Sequence, residues 1–165
     1  MRIELLSASH SVVSFDSGVK TLDEWLQDHG LENQTRNLSR VFVLVSDSNE
    51  VLGYYSLTMG GVQKGDLPHS LGRGLPPVEI GMVLIGRLAV ALQHQGKGIG
   101  RDMLIDAIKR SVHAGTSAAA RFIAVDPIDD TAQMFYRHFG FQHIVGDLNG
   151  RMYISIAAAE KTLDI

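Results

Sequence analysis

Residues 93–101 read Gln-His-Gln-Gly-Lys-Gly-Ile-Gly-Arg, with three alternating glycines and two basic residues in nine positions. Glycine costs backbone entropy, so such a cluster either makes a turn or bares its backbone for a ligand. The residues on both sides point to the ligand. Before the cluster, 80–92 (IGMVLIGRLAVAL) is an apolar run that predicts a long buried strand. After it, Ile99, Met103, Ala107, Ile108 and Val112 fall on one helical face, with Gly115 as the expected stop. In a strand, glycine turn and helix in that order, the first helical N–H groups point outward and the helix dipole adds positive charge. Lys97 and Arg101 add more. The chemistry this suits is the binding of a phosphate group.

Two common phosphate motifs do not fit. G-x-x-x-x-G-K-[ST] cannot be written here, and Gly96, Gly98 and Gly100 give G-x-G-x-G without the later glycine or the early βαβ unit of a dinucleotide site. Metal chemistry is not expected, because the seven histidines show no metal-binding spacing and the chain has no cysteine.

The elements that must hold this turn can be read along the chain. Residues 2–6 (RIELL) form a short strand, and 21–37 a helix with Thr21 as a possible cap. Residues 40–46 and 51–60 are β-branched and aromatic and flank the polar turn Asp47-Ser48-Asn49-Glu50, which predicts a hairpin. Residues 61–79 carry three of the four prolines and four glycines, a long loop of the kind that is functional or disordered. Beyond the 99–115 helix come a strand (121–127), a helix (129–140) closed by Gly140, and a strand pair in FQHIVG (141–146) and RMYISIA (151–157). Strand–helix units beside antiparallel pairs imply a mixed α/β sheet flanked by helices, in a single domain over 1–165.

Bulk properties are those of a soluble protein: 165 residues, 45% hydrophobic, 20% charged, net charge −3. No apolar run is long enough to span a bilayer, and MRIELLSASHS lacks the pattern of a signal peptide, so a cytoplasmic location is expected. Charge is uneven: residues 85–125 hold six basic residues against two acids, a local +4. That segment is either a solvated mixture or a field for a phosphorylated ligand. Arg87 lies inside the apolar strand, where an unpaired charge is costly, so it needs a partner or a ligand.

The run Gln95-Gly96-Lys97-Gly98-Ile99-Gly100 matches [Q/R]-x-x-G-x-[G/A], the signature of the GCN5-related N-acetyltransferases (GNATs), and the element order resembles that family's over nearly the whole chain. The resemblance implies the GNAT fold and backbone amides around Gln95–Arg101 that bind the pyrophosphate of acetyl-CoA. It also implies that N–H groups of Leu88, Ala89 and Val90 polarise the thioester carbonyl, and that Tyr136 in AQMFYRHFGF gives a proton to the departing thiolate. Two roles fit Tyr136: a core residue beside the Ala132, Phe135 and Phe139 stripe, or a proton donor at its edge. No general base stands out; His94 and Glu79 are the nearest candidates by sequence.

LDEWLQDHGLENQTRNLSRVFVLV, VLGYYSLTMGGV, LIGRLAVALQHQGKGIGRDML and DDTAQMFYRHFGF further resemble the GNAT toxins of type II toxin–antitoxin systems. Membership would imply acetylation of aminoacyl-tRNA, a block of translation, a ribbon-helix-helix antitoxin and a homodimer. Arg36 and Arg40, in a stretch (33–46) without acids, then become candidate tRNA contacts, although they also fit as solvated charges at a helix end. Two other functions stay open: a GNAT that acetylates a small amine or a protein amino group, and a non-catalytic acyl-CoA-binding module.

Overall fold

β-Branched and aromatic residues build the first hairpin. The computed structural model describes residues 1–143 and 150–165, and pairs β2 (Arg40–Val45) antiparallel with β3 (Val51–Val62) across the polar turn. Asn49 takes the left-handed conformation that this turn needs, at φ +62°. β1 (Arg2–Leu5) lies antiparallel on β2. β4 (Ile80–Val90) runs parallel to β5 (Phe122–Val125), and β7 (Met152–Ser155) lies antiparallel to both β5 and β6 (Gln142–His143). The seven strands follow the order β1-β2-β3-β4-β5-β7-β6, the mixed sheet that the sequence implied. Of the strand expected at 141–146, residues 144–146 lie outside the described residues.

The chain divides into two compact units, Met1–Thr58 with Gly86–Ala107, and Met59–Ile85 with Ile108–Ile165. Each has its own apolar cluster. In the first, Leu6, Phe15, Leu26, Val41, Val43, Val45, Tyr54 and Ala89 pack together; in the second, Val62, Leu67, Ile80, Met82, Phe122, Ala124 and Tyr153.

The N-terminal helix departs from expectation. The helix over 21–37 is broken into α1 (Lys20–Trp25), a π-helical turn (Leu26–Gly30) and α2 (Leu31–Thr35). Gly30 is buried there, so close to Leu6 and Leu26 that a Cβ would sit 3.2 Å from each. Thr21 does not cap α1; the N-cap position is Val19, whose carbonyl accepts from Leu22 and Asp23. The 61–79 loop is not structureless, as it holds a 3₁₀ turn (Lys64–Asp66) and the helical turn α3 (His69–Gly72).

Gly115 is no helix stop. α4 runs from Ile99 to Ser117 through it, and a Cβ on Gly115 would lie 2.7 Å from Ile156 Cδ1. Ile156 opens α6 (Ile156–Leu163), an element the sequence reading missed. α5 (Asp130–His138) completes the set, capped by the Asp129 carboxylate on the Ala132 amide at 2.7 Å. Among the described residues, no helix is long and apolar enough to cross a membrane.

Candidate active site

The glycine turn is held from behind by Gln95. Its Nε2 donates both protons, one to the Val90 carbonyl at 2.8 Å and one to the Ser17 carbonyl at 2.9 Å. The Gln95 side chain is therefore spent on anchoring the turn to the end of β4. Gly96 and Gly98 adopt φ of +73° and +83°, where an L side chain is strained, and a Cβ on either would meet nothing within 4 Å. Gly100 differs: its φ is ordinary, and a Cβ would touch Val90 Cγ2 at 3.8 Å.

The Asp102 amide is the first to bond back into α4, to the Gly98 carbonyl at 3.1 Å. Among the described residues no backbone carbonyl accepts from the amides of residues 96–101, and the space beside Gly96 and Gly98 is open. Lys97 Nζ folds back on the Gln93 carbonyl at 2.8 Å, and Arg101 is exposed on the first turn of α4. This donor set fits a pyrophosphate: many amides, two flanking cations, and no side chain where the anion would rest.

β4 supplies a second set of donors. Its pairing with β5 ends at Ile85 with Val125, and Gly86–Val90 continue without that partner. The Ala91 amide donates to Leu52, and the Ala89 carbonyl lies toward β3, 3.0 Å from where a Cβ on Gly53 would stand. Strand alternation then turns the N–H groups of Leu88 and Val90 to the opposite edge, beyond the end of the β5 pairing, where the Val90 carbonyl takes Gln95. Of the three residues expected to offer an N–H, Ala89 faces β3 and packs its side chain in the core, while Leu88 and Val90 face outward along the sheet.

Tyr136 belongs to the second unit and is the most enclosed residue of α5, at 7% exposure. Its ring meets Phe135 and Phe141 edge-on at 5.3 and 5.8 Å. It thus lies deeper than the stripe beside which the sequence placed it, because Phe141, after the turn at Gly140, packs against it. No hydrogen bond holds the hydroxyl among the described residues, and it is not among their fully buried unpaired oxygens. Burial, and then the Asp126 carboxylate, raise its pKa above the ordinary tyrosine value, so the phenol stays protonated at neutral pH. Asp126 is itself gripped by Arg151 through Nε at 2.7 Å and Nη2 at 2.9 Å. Sequence reasoning missed this pair, whose members stand 25 positions apart.

A family model described as an acetyltransferase (GNAT) domain matches residues 37–143. The chain belongs to the GNAT acetyltransferase family. It is 40% identical over 138 residues to a tRNA-acetylating toxin of Mycobacterium tuberculosis, covering 83% of this chain and 81% of that one. A solved structure of AtaT complexed with acetyl-methionyl-tRNAfMet matches with a TM-score of 0.88 at 25% identity over 97% of each chain. The structure of AtaTR bound with AcCoA matches at 0.85 and 26% identity, over 97% of this chain and 96% of that one. A tyrosine-to-phenylalanine mutant of KacT shares the fold, with a TM-score of 0.90 at 24% identity over 97% of each chain.

In this GNAT domain Arg87 finds its partner on α1. Its guanidinium carbon stands 4.1 Å from the Trp25 ring centroid, over the face of the indole. Arg36 is exposed and donates to Glu32 at 3.0 Å, an acid just outside the acid-free stretch, and Arg40 is exposed at the start of β2. Neither arginine touches the glycine turn. Among the described residues, no cluster of three or more His, Cys, Asp or Glu could hold a metal.

Proposed function

We propose that this GNAT protein is the toxin of a toxin–antitoxin pair, acetylating the amino group of aminoacyl-tRNA from acetyl-CoA in the cytoplasm and so blocking translation. A ribbon-helix-helix antitoxin neutralises it, and the toxin acts as a homodimer. One observation carries the reading: six consecutive amides without a backbone acceptor, beside open space at Gly96 and Gly98, in a chain 40% identical to a tRNA-acetylating toxin.

Acetyl-CoA supplies an activated thioester when bound. The amides of residues 96–101, with Lys97 and Arg101, hold its pyrophosphate; Gln95 keeps those amides in place. Leu88 and Val90 offer N–H groups toward developing charge on an acyl oxygen. Tyr136 keeps its proton at Oη and would give it to the sulfur as the C–S bond breaks, while the proton that the attacking nitrogen sheds on forming the amide would return to the phenolate. An aminoacyl amine, with an ordinary pKa of about 8, is partly neutral already, so a dedicated base is not required.

Cell-free translation tests this. Added protein should stop synthesis only when acetyl-CoA is present, and Tyr136→Phe should relieve the block. Inhibition without acetyl-CoA, or none with it, overturns the proposal.

A further inference from the structure

Arg87 is the one charged residue of β4. Its guanidinium carbon lies over the Trp25 ring, 4.1 Å from the centroid, and Trp25 stacks on Tyr54 with ring centroids 5.9 Å apart and planes 12° from parallel. Tyr54 is fully buried, and its hydroxyl donates to the Leu22 carbonyl at 2.7 Å. The stack is thus fixed at its base, and the guanidinium rests over its outer ring.

The cation–π contact uses no N–H donor of the guanidinium. The N–H groups around its edge have no hydrogen-bond partner among the described residues, and no carboxylate there comes within ion-pair distance of Arg87. Half-buried and without a counter-ion, the cation is disfavoured by its surroundings. Packing on Trp25 alone would be served as well by an apolar side chain. What arginine adds is a planar fork of donors, the shape that takes two oxygens of a phosphate at once.

Arg87 precedes the outward peptides of Leu88 and Val90, and the amides of 96–101 follow them. In the reading above the amides take the donor's pyrophosphate, which leaves the fork of Arg87 for a phosphate of the acceptor. We propose that Arg87 is a positioning residue for the acceptor: its guanidinium edge binds a phosphodiester near the 3′ end of the aminoacylated strand, with Trp25 packed beneath the fork. This rests on the aminoacyl-tRNA reading above.

Arg87→Met keeps an apolar stem against Trp25, and Arg87→Lys keeps the charge without the fork. Acetylation of aminoacyl-tRNA is followed for the wild type and both variants over a range of salt, with KM determined for each substrate. In Arg87→Met the KM for aminoacyl-tRNA should rise roughly ten- to a hundredfold, the loss of a charge-assisted pair of hydrogen bonds. The slope of log KM against log salt should shrink by about 0.7, the share of one phosphate contact on a single strand. The KM for acetyl-CoA should stay within twofold, and Arg87→Lys should fall between, with most of the salt slope kept. An unchanged salt slope overturns the proposal, since a purely structural role would not alter it. An equal rise in KM for acetyl-CoA overturns it too, by assigning Arg87 to the donor's phosphates. If Arg87→Met does not fold, Arg87→Lys decides: wild-type KM for aminoacyl-tRNA then refutes the fork. A wild-type protein that leaves aminoacyl-tRNA unmodified overturns the function itself, a result distinct from all of these.

Discussion

Gln95 reaches back from the glycine turn to the Val90 carbonyl, 2.8 Å away, and ties the start of the turn to the end of β4. The end of the strand and the start of the turn are thereby set in one register. Gln95→Ala removes this bond and its companion to Ser17. Each is worth about 1 kcal/mol of stability, so thermal unfolding should shift by a few degrees. Acetyl-CoA binding, followed by calorimetry, should weaken about tenfold, because the amides lose their fixed spacing.

Gly98→Ala and Gly100→Ala should part company. At Gly98 the positive φ makes alanine unfavourable by roughly 1 kcal/mol, and the new methyl stands in the open space before the amides. At Gly100 the methyl makes an ordinary contact with Val90 inside a helix. Calorimetry should show acetyl-CoA affinity collapsing in Gly98→Ala and falling far less in Gly100→Ala. Equal losses would contradict the assignment of the space outside Gly98 to the anion.

Tyr136→Phe should lower kcat by about two to four orders of magnitude, the usual worth of a positioned acid, with unfolding temperature nearly unchanged. The raised pKa has a definite sign: the protonated form, which is the donor, persists above pH 10. Tyrosinate absorbance of wild type minus Tyr136→Phe should therefore appear only at higher pH than for exposed tyrosines. Asp126→Asn removes a nearby negative charge and should move that difference to lower pH.

Gly115→Leu should destabilise by about 1–3 kcal/mol, because the space is filled by Ile156 of α6. Chemical denaturation of Gly115→Leu and of the double variant Gly115→Leu with Ile156→Ala checks this, and the second should recover part of the loss.

The sequence and the fold agree where a local pattern decides the outcome. The hairpin of β2 and β3 follows from β-branched runs around four polar residues, and the glycine turn from a density of glycine that only positive φ or a close ligand explains. Gly115 looked like a stop because a glycine after an amphipathic helix commonly is one; its true role depends on α6. That helix was hidden because β7 passes straight into it, with Ser155 serving both as strand end and as N-cap to Ala158. Arg87 was legible as a buried charge in need of a partner, yet Trp25 lies 62 residues earlier and no local pattern joins them. The enclosure of Tyr136 likewise depends on Phe141, across a turn.

The central claim is the pairing of donor and acceptor. Purified protein incubated with radiolabelled acetyl-CoA and a pool of charged tRNAs should place label on the amino group of the aminoacyl moiety, with none on deacylated tRNA and none in Tyr136→Phe. Label that reaches only small amines or protein lysines, with charged tRNA left untouched, would contradict it.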